Sequence, residues 1–111
     1  MAYWALSTYT RPDTDTEFYV RYTVAELKTS STIGVKILEL ENNGKLIHYS
    51  INYSEDKLTQ KIKIGFDSED SYNTFKTFCD SEDEFTTLKS DFITNNGLTS
   101  EYTTSESEPT I

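Results

Sequence analysis

Between Lys45 and Phe66, apolar and polar residues alternate on both sides of a short acidic knot, Ser54-Glu55-Asp56-Lys57. Successive side chains of a strand point to opposite faces. Ile47, Tyr49, Ile51 and Tyr53 therefore share one face, with His48, Ser50 and Asn52 on the other. The return segment places Leu58, Ile62, Ile64 and Phe66 together, with Thr59, Lys61 and Lys63 opposite. This pattern predicts a β-hairpin with one buried and one wet side. Its register is tightly specified, because a one-residue slip would turn the whole apolar set into water.

A half-dry sheet needs a cover, and the residues after Phe66 supply one. Asp67 or Ser68 can cap a helix in which Tyr72, Phe75, Phe78 and Cys79 recur at helical spacing. Ser81 with Glu84 reads as the capping box of a second helix, with Phe85, Leu88, Phe92 and Ile93 as its apolar stripe. Acidic residues at both helix starts suit the helix dipole, and Asn95-Asn96-Gly97 is a strong stop. Leu98, Ser100 and Tyr102 then predict a last strand. The polar run that closes the chain predicts a mobile acidic tail over 105–111, leaving one domain over 1–104.

Upstream, Ala2–Thr10 alternates as a first strand, with Trp4, Leu6 and Thr8 on one face and Tyr3, Ala5, Ser7 and Tyr9 on the other. Arg11-Pro12-Asp13 ends it. A short helix capped by Thr23, with Glu26 completing a capping box, fits the next segment. Residues 32–41 read two ways. Ile33, Val35 and Ile37 alternate as a strand; Ile33, Ile37 and Leu40 also share a helical face, which Asn42-Asn43-Gly44 would cap. The β-branched residues and Gly34 tilt the reading to a strand. The whole is an α+β fold: an antiparallel sheet of about four to five strands with helices on one face, the ferredoxin-like βαββαβ order being the nearest simple topology.

The 111 residues fit a single domain. Only 35% are hydrophobic, so the eight Tyr and six Phe must carry much of the core. A formal net charge of −9, with Lys and Arg scattered singly, excludes nucleic acid as a partner, since phosphate binding needs a basic stripe. It disfavours anionic membranes on the same grounds, and no run approaches the length of a membrane span. The first residues lack a secretory pattern, which leaves a cytoplasmic setting, or a virion or host cytoplasm if the protein is viral.

Chemistry is sparse. His48 is the only histidine and Cys79 the only cysteine, so no internal disulfide can form, and a zinc site would need carboxylates for the rest of its ligands. Asp80, Glu82 and Asp83 follow Cys79 and oppose a thiolate. The acidic runs at Asp67–Asp70 and Ser81–Glu84 lack the ligand ladder of a calcium loop, and the four glycines are too isolated for a phosphate loop. No catalytic, cofactor-binding or metal-ligating residue is assigned, and no cofactor is expected. Aromatic residues crowd the first fifth of the chain, and such residues dominate protein interfaces. Trp4, Tyr9 and His48 are the candidate interface residues.

The stretch Ser50–Phe78, "SINYSEDKLTQKIKIGFDSEDSYNTFKTF", runs strand, acidic turn, strand ending in an aromatic residue, acidic cap, and Tyr/Phe helix. It resembles the antibiotic-biosynthesis-monooxygenase-like, or dimeric α+β barrel, group. That resemblance implies dimers formed by face-to-face packing of sheets. Tyr3–Tyr19, "YWALSTYTRPDTDTEFY", is similar to short proteins of tailed phages, which implies a virion or infection-accessory role. The leading expectation is a non-enzymatic, homo-oligomerising structural or accessory module, partnered by itself or by virion or host proteins. One alternative is a small cofactor-independent enzyme of the monooxygenase-like kind, with a pocket between sheet and helices and His48 or Tyr49 as its polar group. Another is an acidic inhibitor or mimic of a host protein.

Overall fold

The computed structural model describes residues 1–20, 32–83 and 85–111. The elements run β1 (Tyr3–Thr10), α1 (Thr32–Asn42), β2 (Leu46–Tyr53), β3 (Thr59–Phe66), α2 (Glu69–Asp80), α3 (Thr87–Asn95) and β4 (Thr99–Ser105). The strands form one sheet in the order β2-β3-β1-β4, with every neighbouring pair antiparallel. The helix expected around Thr23 lies outside the described residues.

Alternation governs the hairpin as the sequence predicts. Ile62, Ile64 and Phe66 lie on the helix side, opposite Ile51, Tyr49 and Leu46 of β2. One departure comes from a register shift between Leu46 and His48. A bulge leaves one residue unpaired, so Leu46 is buried and Ile47, expected inside, is exposed. The acidic knot closes the hairpin through side chains. Ser54 Oγ donates to Asp56 Oδ1 at 2.6 Å and accepts from the Thr59 amide at 3.0 Å.

Residues 32–42 are helix, not the favoured strand. Ile33, Gly34, Ile37 and Leu40 face the core, while Val35 projects into solvent. Burial of that one face outweighs the local strand propensity of β-branched residues. Gly44, at φ 72°, ends the helix in the left-handed conformation. The Lys45 amide bonds Leu40 O at 2.9 Å and the Gly44 amide bonds Glu41 O at 3.1 Å. These two bonds are the Schellman pattern. Gly97, at φ 70°, closes α3 in the same way, with Leu98 N bonding Ile93 O at 3.1 Å.

Ser68 caps α2, its side chain accepting from the Ser71 amide. Ser81 does not cap a following helix. It terminates α2, and its Oγ donates to Phe78 O at 2.7 Å. Helix α3 begins later, at Thr87, and contains no buried residue. Phe85, Phe92 and Ile93 still pack partly against the core, whereas Leu88 of the expected stripe is exposed.

Phe66 is fully buried and anchors the core, its ring 5.6 Å from that of Tyr72 and 5.5 Å from that of Phe75. The opposite face of the sheet is less wet than alternation alone predicts. Trp4, from β1, lies flat over Gly65 of β3 and is only 8% exposed. Lys63 Nζ stands 5.2 Å from the Trp4 ring and 2.6 Å from Glu108 Oε2, which brings the acidic carboxy-terminal segment onto this face. Ile111 lies beside Asn52, Tyr53 and Lys61.

Candidate functional site

Helices on one side of a twisted sheet leave space where their side chains do not meet. Here a cavity of about 200 Å³ opens between the sheet and the helices. Its floor comes from Ala5, Ser7 and Tyr9 of β1, Tyr49 of β2, Ile62 and Ile64 of β3, and Ser100 and Tyr102 of β4. Ile33 and Ile37 of α1, with Tyr72 and Phe75 of α2, form apolar walls. Lys76, Cys79 and Asp80 of α2, with Val20, Phe85, Lys89 and Glu101, complete the lining.

The small residues Ala5 and Ser7 at the middle of β1 explain why room exists there. Strand register then decides which polar groups reach it. Ser7 pairs with Tyr102 and Tyr9 with Ser100, so these four side chains share the helix face. Glu101 pairs with Thr8, which puts its carboxylate side chain on the outer face. Tyr72 and Tyr102 hydroxyls meet at 2.6 Å above the sheet edge.

The polar lining holds its protons. Burial drives the Tyr49 hydroxyl far above the ordinary tyrosine pKa. Tyr102 moves the same way, first by burial of its hydroxyl and then by its bond with Tyr72. Burial pushes the Cys79 thiol up to about 12, although Lys89 pulls it in the opposite direction. The acidic neighbours expected to oppose the thiolate contribute less than burial does. Two lysines reach the cavity. Lys76 is bound to Asp80 at 2.6 Å, and this bond raises its pKa. Lys89 Nζ donates to Tyr9 OH at 3.0 Å and sits over the Tyr9 and Phe85 rings, 5.5 and 5.4 Å from their centroids.

The three candidate interface residues do not share a surface. Trp4 and His48 come together on the outer face, their rings 5.9 Å apart, and His48 Nε2 lies 2.8 Å from Ser50 Oγ. Tyr9 is buried on the other face, inside the cavity. His48 is not part of the cavity lining, whereas Tyr49, the other nominee for a polar group, is. Sequence reading missed Lys89 and the Tyr72–Tyr102 pair. Only strand pairing and helix packing bring residues so far apart in the chain together. Among the described residues no cluster of His, Cys, Asp and Glu could hold a metal ion, and no helix is long and apolar enough to cross a membrane.

No family model and no curated protein matches the sequence. Solved structures do match. A dimeric ferredoxin-like protein from an uncultured marine organism superposes with a TM-score of 0.62 at 13% identity, over 99% of this chain and 96% of that one. The fold is ferredoxin-like. A Deinococcus radiodurans protein named as an antibiotic biosynthesis monooxygenase superposes with a TM-score of 0.57 at 12% identity, over 98% of this chain and 95% of its own. SnoaB, a cofactor-independent oxygenase from Streptomyces nogalater, has a TM-score of 0.51 at 9% identity, over 99% and 96% of the two chains. At these identities the shared property is the α+β fold alone.

Proposed function

We propose that this chain is a homo-oligomeric module that binds one small, mostly apolar molecule between its sheet and helices, and that it does so without catalysis. The cavity carries this reading. It is lined mainly by apolar and aromatic side chains with a few convergent polar groups, the usual make-up of a small-molecule site. Protonation supports the non-catalytic reading, because Tyr49, Tyr102 and Cys79 are not poised as general bases. General-base work needs a pKa near the working pH, and Tyr49, Tyr102 and Cys79 are all shifted upward, away from it. The self-association is argued from the ferredoxin-like proteins of similar fold that are described as dimeric. A virion or infection-accessory setting in a tailed phage rests on the amino-terminal resemblance alone.

Cofactor-independent oxygenation is the competing reading. The position of the cavity under the sheet and the fold shared with SnoaB favour it.

Amide-resolved NMR titration with single-ring aromatic probes tests binding. Shifts should centre on Tyr49, Ile62 and Tyr102 and leave Trp4 and His48 unmoved. Ser7→Phe, which fills the cavity floor, should abolish them while the chain stays folded. Shifts on the outer face, or full binding by the Ser7→Phe variant, would overturn the site. Light scattering should give a mass at least twice the 12.8 kDa of one chain; a monomer at all concentrations would remove the self-association. Consumption of oxygen with an added phenolic substrate would replace the binding module with the enzyme.

A further inference from the structure

The charge inside the cavity is unlike that of the molecule around it. The chain carries a formal net charge of −9. Within the cavity lining, Asp80 neutralises Lys76 at 2.6 Å. Glu101 contributes to the wall, but its pairing with Thr8 sends its carboxylate to the other side of the sheet. Lys89 is left with a phenol and two aromatic rings, and with no carboxylate among the described residues as an ion-pair partner. Rings and a hydroxyl compensate an ammonium group held partly out of water less fully than a carboxylate does. A ligand anion delivered beside it would gain a charge-assisted hydrogen bond in a setting of low dielectric.

Size narrows the class further. A dry cavity of about 150 Å³ takes a benzene ring, and the space here is about 200 Å³. It suits one ring or a short branched chain with a small head group. Ile33, Ile37, Ile62 and Phe75 give the lining its apolar part.

We infer that the ligand is a small single-ring or branched-chain carboxylate, its carboxylate seated at Lys89 and the Tyr9 hydroxyl and its apolar body among the isoleucines. This rests on the cavity being the ligand site proposed above. The Lys89 ammonium and the ligand carboxylate supply attraction, and burial of the apolar body supplies the remainder.

The test compares phenylacetate with its uncharged isostere phenylacetamide, by NMR titration of the full chain at pH 7. Phenylacetate should bind at least tenfold more tightly. Lys89→Met should remove that preference, and Lys89→Arg should keep most of it. Equal affinity of acid and amide for the unaltered chain would overturn the inference while leaving the cavity as a small-molecule site. Binding of neither probe would overturn both. Because the acid–amide comparison uses the unaltered protein, it decides the matter even if Lys89→Met does not fold.

Discussion

On the helix face of the sheet, Phe66, Ile62 and Leu46 are covered by many partners, each contributing a little, and a cavity remains between them. On the opposite face, Trp4 reaches similar burial by one close fit. It lies on Gly65, beside His48 and Lys63, and Lys63 in turn holds Glu108. The first arrangement spreads its stability over volume, so it tolerates a void and can host a guest. The second concentrates it in a single pair of residues, and so leaves little room for change. The two faces of one sheet therefore respond differently to substitution.

The largest effect belongs to the helix face. Phe66→Ala should destabilise the chain by about 3–5 kcal/mol, the usual cost of removing a buried aromatic side chain, read as a lowered midpoint in urea. A loss below about 1 kcal/mol would mean that the walls collapse freely onto the space.

The outer face should break at one point. A Cβ built on Gly65 would stand 2.5 Å from Cζ3 of Trp4. Gly65→Ala should cost about 1–3 kcal/mol by overpacking. In a Trp4→Ala background that penalty should largely disappear, giving a strong coupling in a double-mutant cycle. An unchanged penalty would show that glycine is needed there for another reason.

Alkaline pH sharpens the contrast. Folding raises the Cys79 pKa from 9.0 to about 12, and burial is the largest cause. A raised folded pKa contributes stability that is complete below the unfolded value and is lost as pH rises toward the folded one. Stability should therefore decline between about pH 9 and 12, with Tyr49 and Tyr102 adding in the same direction. Iodoacetamide should alkylate Cys79 much more slowly in the folded chain than in urea at pH 8. Equal rates would place the thiol in open solvent.

The smallest effect is expected at Glu108. Its hydrogen bond to Lys63 holds its pKa below the usual carboxylate value of 4.5. The sign is opposite to that of Cys79: the contact is present above the unfolded pKa and is lost as pH falls through the lowered folded one. Side-chain carbon shifts of Glu108 should follow that low titration. The urea midpoint of Glu108→Gln should fall only slightly: Lys63 is buried, but Glu108 itself is exposed and Gln keeps an oxygen that can accept from it. An ordinary Glu titration would show that Lys63 does not hold this carboxylate in solution.

Much of the architecture was legible from local pattern. Period-two alternation placed β2 and β3, Ser68 announced the start of α2, and Asn-Asn-Gly marked the end of α3. The same Asn-Asn-Gly signal stood after residue 41, yet propensity at Ile33, Gly34 and Val35 pointed to a strand. Tertiary burial of Ile33, Ile37 and Leu40 decided for the helix. Ser81 and Glu84 matched a capping box, but Ser81 closes α2. The bulge that exposes Ile47 leaves no mark in the residues, because it lies in the pairing of two strands and not in either one's own pattern. Of the candidate site, Tyr49 was visible and Lys89 was not.

The sequence by itself determined the faces of the hairpin, the positions of the turns and the helix caps. These depend on side-chain periodicity and on local hydrogen bonds within a few residues. Alternation put Trp4 and Tyr9 on opposite faces of β1, and only the tertiary structure decided which of those faces lies inside and that Trp4 meets His48. It alone brought Lys89 of α3 to β1 and Glu108 to β3. Such placements depend on strand order and helix packing across most of the chain, and no local pattern carries the distance between residues that far apart.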